Sequence, residues 1–292
     1  ISCLIEIKRK RMFKVICDAP GQTCNRLWSY LDTIAWAIKN NGKVYIIHWD
    51  VDIKYFPNLL SSKYCCFPFY AHSFFRLFGE ERWKNFWGCL FLNSLARKFR
   101  ETRLGKKMGF LDGWNLRDHH DYYPYVDKDT LRRVFSPNQQ VIDDVSSELD
   151  RYKSEGYFIV AVHMRGGDYR YWENGQYFFE IEEYKTFMSQ IKSLYSDKKV
   201  CFFISTNEKY DKSAFEGFTL CDLKKNTSAI HDLYALSQCD RIIGPHSSFS
   251  RWASFIGDVP LCYIEHGGEI ASDKDFSLIK DFYHFKDGRT IR

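Results

Sequence analysis

From Gly156 onward the chain repeats one rhythm: a short apolar run, a polar loop, then an amphipathic helical stretch. Phe158–His163, Val200–Ile204, Arg241–Ile243 and Pro260–Ile264 read as strands, and the contiguous apolar run Tyr157–Val162 has the pattern of a buried one. Helices are expected between them. Ile181–Tyr195 puts Ile181, Tyr184, Phe187, Met188, Ile191 and Leu194 on one side, and two more follow at about Ala229–Gln238 and Ser248–Ile256. Strands separated by helices pair in parallel through crossovers, so this half of the chain is an α/β layer structure.

The first half opens the same way. Phe13–Cys17 reads as a strand, Asn25–Asn40 as a helix with Leu27, Leu31, Ile34 and Ile38 on one face, and Val44–His48 as the next strand. Asn41-Gly42 supplies the stop signal between them. The result is a βαβ unit, whose crossover is expected to be right-handed. Residues 53 to about 150 show aromatic and basic stretches with helices expected around 73–107 and 138–153. Two α/β domains follow, 1–152 and 153–292, which 292 residues can furnish with separate cores.

Composition narrows the classes. With 27% charged and 45% hydrophobic residues the chain is globular, and a net charge of +5 without a recognised reader motif does not mark a nucleic-acid partner. Ten cysteines occur without any C-x-x-C spacing, so no zinc framework is indicated. Cys17, Cys201 and Cys262 lie in apolar runs, where a free thiol packs as a small hydrophobe. Without a secretory apolar segment near the start or an apolar run of membrane-spanning length, the expected compartment is the cytoplasm. Residues 82–107 carry eight Lys or Arg against Glu101 alone, interleaved with Trp83, Phe86, Trp87 and Leu90. That pattern suits either a solvated helix with an apolar inner side or peripheral contact with an anionic membrane.

The strand ending at Val162 empties into His163-Met164-Arg165-Gly166-Gly167-Asp168. In open α/β sheets ligands sit beyond the carboxyl ends of the strands, where loops converge. Arg165 offers a rigid fork that matches two phosphate oxygens, and the glycines let backbone approach a bulky anion. A turn ion pair between Arg165 and Asp168 is the plainer reading of the same residues. Two further strand-to-helix junctions carry polar groups: Gly21 to Arg26, and Asp232 with His246-Ser247-Ser248-Phe249. A helix starting at Ser248 would turn its N–H groups and positive dipole end toward a phosphate.

Together these segments resemble the fucosyltransferase superfamily, which includes bacterial α-1,2-, core α-1,6- and protein O-fucosyltransferases. Three matches carry the resemblance. Gly21 to Asn25 matches an early G-x-x-x-N, and His163, Arg165 and Asp168 match H-x-R-x-x-D. The run from Asp232 to Asp240, then Ile242-Ile243 and Ser247-Ser248-Phe249-Ser250-Arg251-Trp252-Ala253, is similar to a late stretch of the α-1,2 members. Arg251 stands where those members have Trp, Gly166 where many have a second Arg, and Gln22-Thr23-Cys24 where small residues or Arg are usual.

The resemblance implies a GT-B-like fold of two Rossmann-like domains facing a cleft, an acceptor-side domain first and a GDP-sugar-binding domain second. It implies an inverting, metal-independent enzyme that moves L-fucose from GDP-β-L-fucose to a glycan hydroxyl, O-2 of galactose in the α-1,2 branch, on an oligosaccharide or lipid-linked acceptor of polysaccharide biosynthesis. By position, His163 and Asp232 would contact guanine and Arg165 the β-phosphate. Ser248 and Phe249 would hold phosphates through hydroxyl and backbone N–H, with Asp168 and Ser247 in the same donor site. Glu173 matches the glutamate proposed as base in the α-1,6 branch. Gln22, Asn25 and Asp18 would lie on the acceptor side.

Other readings compete. Asp50-Val51-Asp52 after a strand has the D-x-D form of metal-dependent GT-A-type glycosyltransferases. Asp118-His119-His120-Asp121 invites a metal, although adjacent side chains diverge on a strand or helix, so both histidines cannot readily join one site. A non-catalytic glycan- or nucleotide-binding protein on the same fold is the remaining alternative.

Overall fold

The computed structural model describes residues 12–283 apart from 19, 48, 50–51, 69–93 and 224–226. The chain divides into two compact units, Ile1–Ser136 and Pro137–Arg292.

In the first unit β1 (Phe13–Ile16), α1 (Thr23–Asn40) and β2 (Lys43–Ile46) form the expected βαβ opening. After α2 (Pro57–Leu60) come β3 (Cys65–Cys66), α3 (Ser94–Glu101), α4 (Arg103–Lys107), β4 (Phe110–Leu111) and α5 (Lys128–Val134). The four strands are parallel in the order β3-β2-β1-β4. α1 buries Leu27, Leu31 and Ile34, and ends where Asn41 turns left-handed (φ 51°) and donates its N–H to the Ala37 carbonyl. In the basic stretch, residues 82–93 lie outside the described residues. Of the rest, Arg100 is buried, whereas Lys98, Arg103, Lys106 and Lys107 are exposed beside the exposed apolar side chains of Phe99, Leu104 and Met108.

The second unit contains α6 (Gln139–Ser154), β5 (Tyr157–Met164), α7 (Ile181–Leu194), β6 (Lys199–Thr206), β7 (Leu220–Cys221), α8 (Ala229–Leu236), β8 (Arg241–Gly244), α9 (Ser248–Gly257) and β9 (Leu261–Tyr263). α6 starts at an Asn138 cap, whose side chain accepts the Val141 N–H. It packs against β5 and α8, so the helix ending near residue 150 belongs with the second sheet, and the units divide ahead of it rather than at 152/153. All five strands are parallel, in the order β7-β6-β5-β8-β9.

That order contains a reversal. From β5 the chain moves outward to β6 and β7, then returns to the other side of β5 for β8 and β9. The crevice beyond the carboxyl ends of β5 and β8 is the topological switch point at which ligands bind open α/β sheets. The first unit has the same device between β1 and β4. The pleat divides the labour: Val160, Val162 and Met164 form one core with Phe187, Met188 and Ile191 of α7, together with Phe202 and Ile204 of β6. Each such side chain contributes about 1.5–3 kcal/mol on burial. His163 belongs to the opposite face. No described helix is long and apolar enough to cross a membrane.

Candidate active site

Strand register brings the first groups together. His163 on β5 is the cross-strand partner of Ser205 on β6, so the two side chains leave the same face. From α8, Asp232 accepts the Ser205 hydroxyl at 3.0 Å, and burial pushes its carboxyl up to about 6. On the other side, the His163 ring stacks on Phe249 of α9, with centroids 5.1 Å apart and planes at 27°. Burial, reinforced by the Arg165 charge, pushes the imidazole down to about 3. It is therefore neutral at physiological pH, and its buried Nδ1 has no hydrogen-bond partner among the described residues. Gly244 at the end of β8 makes this approach possible, because a Cβ there would lie 2.7 Å from the His163 carbonyl oxygen.

The loop after β5 is tied down from three sides. The Arg165 N–H donates to the Tyr184 hydroxyl at 3.2 Å. Gly166 N–H donates to Asn207 Oδ1 at 2.9 Å, and Gly167 N–H to Glu208 Oε1 at 2.8 Å. The Tyr169 hydroxyl reaches the His246 carbonyl at 2.8 Å. Gly167 sits at φ 57°, a left-handed conformation that glycine adopts cheaply. Glu208 also pairs with Arg170 at 3.0 Å, and a Cβ at Gly166 would run into its carboxylate. Glu208 therefore occupies the space that a side chain at position 166 would need.

The plainer reading of Arg165 and Asp168 is correct as far as it goes, since the guanidinium meets the exposed Asp168 carboxylate at 3.1 Å. The pair orients Arg165 without saturating it. Its Nε is buried with no hydrogen-bond partner among the described residues, and its Cζ lies 5.1 Å from the Tyr169 ring centroid. Beside it α9 begins, capped by Ser247, whose Oγ accepts the Phe249 N–H at 3.2 Å. The positive end of this ten-residue helix thus opens at the carboxyl end of β8. Phe249 spends its N–H on the cap and its ring on His163. Arg251 turns inward instead, donating to the Tyr263 hydroxyl at 3.0 Å and the Phe282 carbonyl at 2.7 Å.

Glu173 is exposed on the turn that leaves this loop. Glu173, Asn174 and Gly175 are left-handed in succession (φ 49°, 58° and 77°).

The remaining candidates belong to the first unit. Gln22 is exposed at the N-cap position of α1 without capping it, and Asn25 is half-buried in the first turn. At this unit's switch point Asp18 accepts the Gly113 N–H across from β1 to the loop after β4. Burial, with a hydrogen bond to Asp112, pushes the Asp18 carboxyl up to about 6. Of the D-x-D pair, Asp50 lies outside the described residues and Asp52 accepts the Thr23 hydroxyl. Alternation operates in the histidine-rich stretch: His119 and Asp121, but not His120, come together with Asp32 in a group of metal-ligating type. Asp32 already accepts the Tyr122 and Tyr123 N–H groups at 2.7 and 3.1 Å, and the Lys14 ammonium faces Asp32 and Asp121 as a counter-charge.

Ser205, Asn207, Glu208 and Asp112 are site-building residues that sequence reasoning missed. The polar run Ser205-Thr206-Asn207-Glu208 directly after an apolar strand is the one signal that marks three of them.

No family model matches the sequence, and no curated protein matches it either. Solved structures do resemble the fold. The NodZ α-1,6-fucosyltransferase soaked with GDP-fucose superposes with a TM-score of 0.55 at 17% identity, covering 87% of this chain and 95% of that one. Fucosyltransferase NodZ from Bradyrhizobium gives 0.52 at 16%, covering 88% and 97%. A mutant of FUT1 from Arabidopsis thaliana in complex with GDP gives 0.54 at 12%, covering 91% and 73%. The chain therefore has a GT-B-like α/β fold, the fold of the fucosyltransferases.

Proposed function

We propose that the chain is a fucosyltransferase that moves L-fucose from GDP-β-L-fucose to a glycan hydroxyl, with inversion and without a metal. One observation carries this reading. A neutral, ring-stacked His163, a half-buried Asp232, an incompletely satisfied Arg165 and the N-terminus of α9 converge at the switch point of a sheet whose fold is that of a protein solved with GDP-fucose.

The chemistry assigns each group. A carboxylate is the natural acceptor for the guanine N1–H and N2–H pair, which supports Asp232 as the guanine partner. His163, whose buried Nδ1 has no hydrogen-bond partner among the described residues, is assigned to the same guanine site. Arg165 and the α9 dipole meet the charge that grows on the β-phosphate as the bond to fucose breaks, the role metals fill in other transferases. Asp168 holds the guanidinium in place. Glu173 takes the acceptor hydroxyl proton while that oxygen attacks the anomeric carbon opposite GDP. Gln22 and Asn25 are assigned to the acceptor. The match from Asp232 to Ala253 supports transfer to O-2 of galactose.

Labelled GDP-fucose with EDTA, offered to galactosides and N-acetylglucosamine-terminated acceptors, tests the reaction, and product linkage assigns the branch. The proposal predicts metal-free transfer; activity that collapses with EDTA and returns with Mn²⁺ sinks it.

A pH dependence follows from Asp232. Its carboxyl keeps its proton up to about pH 6, whereas guanine requires the ionised form. Binding below pH 6 must therefore expel a proton, and affinity for GDP-fucose falls about tenfold per unit as pH drops toward 4. His163, neutral down to about pH 3, adds no slope there. Titration calorimetry of wild type and Asp232→Asn checks this: the variant binds weakly with no slope, and a flat wild-type profile between pH 5 and 7 removes Asp232 from guanine recognition.

A further inference from the structure

Arg165 begins a line of aromatic rings that ends in solvent. Its guanidinium lies against Tyr169; the Tyr169 centroid is 5.1 Å from Trp172, which is 5.0 Å from Tyr177, itself 5.3 Å from His246. The inner members are fixed, Tyr169 being buried and bonded to the His246 carbonyl. The outer ones are not covered: Trp172 is 37% exposed and the neighbouring Tyr171 83%. Apolar rings of this size are ordinarily withdrawn from water.

The backbone beyond them is costly. Two non-glycine residues, Glu173 and Asn174, are left-handed in succession before Gly175, a conformation that is unfavourable for a residue such as glutamate. Strain of this kind concentrates at functional sites. This turn carries the proposed base on the residue directly after Trp172.

We infer that Trp172 forms a stacking platform for a pyranose ring of the acceptor glycan. This rests on the proposed fucosyl transfer, and it names the subsite that reading leaves open. A sugar's axial C–H bonds carry partial positive charge and are attracted to the negative face of an aromatic ring, while its hydroxyls stay in water. Trp172 packs against Tyr169 and Tyr177, which limits its rotamer freedom, so stacking on it costs little side-chain entropy. One ring step separates Trp172 from Tyr169, which touches the Arg165 guanidinium, so the platform is continuous with the proposed phosphate site. The proposed base, Glu173, is the next residue along the chain.

Two measurements test the platform. Calorimetry gives the Kd for GDP, and tryptophan fluorescence gives the affinity for N-acetyllactosamine, galactose and chitotetraose, with and without GDP. At least one sugar is expected to bind wild type. Trp172→Ala should weaken it about tenfold, Trp172→Phe by less than about threefold, and neither should change the Kd for GDP. Unaltered sugar affinity in Trp172→Ala, or no binding by wild type of any of the three sugars, overturns the platform. Absence of GDP binding in wild type strikes the donor reading instead, and the titrations without GDP still decide the platform.

Discussion

Alanine in place of Arg165 is expected to lower kcat for fucosyl transfer by about 10²–10³, the loss typical when one preorganised donor to a developing negative charge is removed. The guanidinium is held in advance by Asp168 and the Tyr169 face, so it needs no reorganisation as charge moves onto GDP. The fold should survive. The loop keeps its bonds from Gly166, Gly167 and Tyr169, and the stranded partner, Asp168, is exposed to water. Lysine should restore only part of the rate, because a point charge cannot span two phosphate oxygens. Circular dichroism and steady-state kinetics on the two variants check this. Near wild-type kcat in Arg165→Ala would remove the residue from the mechanism.

Glu173→Gln is expected to bind GDP-fucose as wild type does and to lose transfer by about 10²–10⁴, the range attributed to a positioned acid or base. The substitution is a clean one. Glutamine has the same shape, both residues bear the same cost at φ 49°, and the carboxylate makes no hydrogen bond or ion pair among the described residues that the variant could break. Calorimetry separates binding from turnover. Unchanged kcat in the glutamine variant assigns the proton to another group.

The second unit was largely legible because its strands are long or sharply apolar and its helices have a clear buried face. β5, β6 and α7 fall within a residue or two of their expected bounds. β3, β4 and β7 were not, since a two-residue edge strand has no periodicity to read. His163 and Arg165 announce themselves by residue type at a strand end, and Asp232 by a carboxylate in the first turn of a helix. Ser205 and Glu208 do not: Ser205 matters because register sets it beside His163, and Glu208 because it fills the space over Gly166. Arg251, a departure from the late stretch that the sequence resembles, is spent on the Tyr263 and Phe282 partners. The helix before β5 was placed in the wrong half because a helical face does not state which sheet it covers.

β5 is the central strand of its sheet, hydrogen-bonded to β6 along its whole length and to β8 through Val160–Val162. Its amides exchange with solvent only when a ladder opens, so the strand that carries His163 is expected among the most slowly exchanging parts of its unit. Glu173 hangs from a surface turn that can fray while the sheet stays shut. On warming, the proposed proton acceptor is expected to loosen before the proposed nucleotide site does, so fucosyl transfer should fade at temperatures at which GDP-fucose still binds.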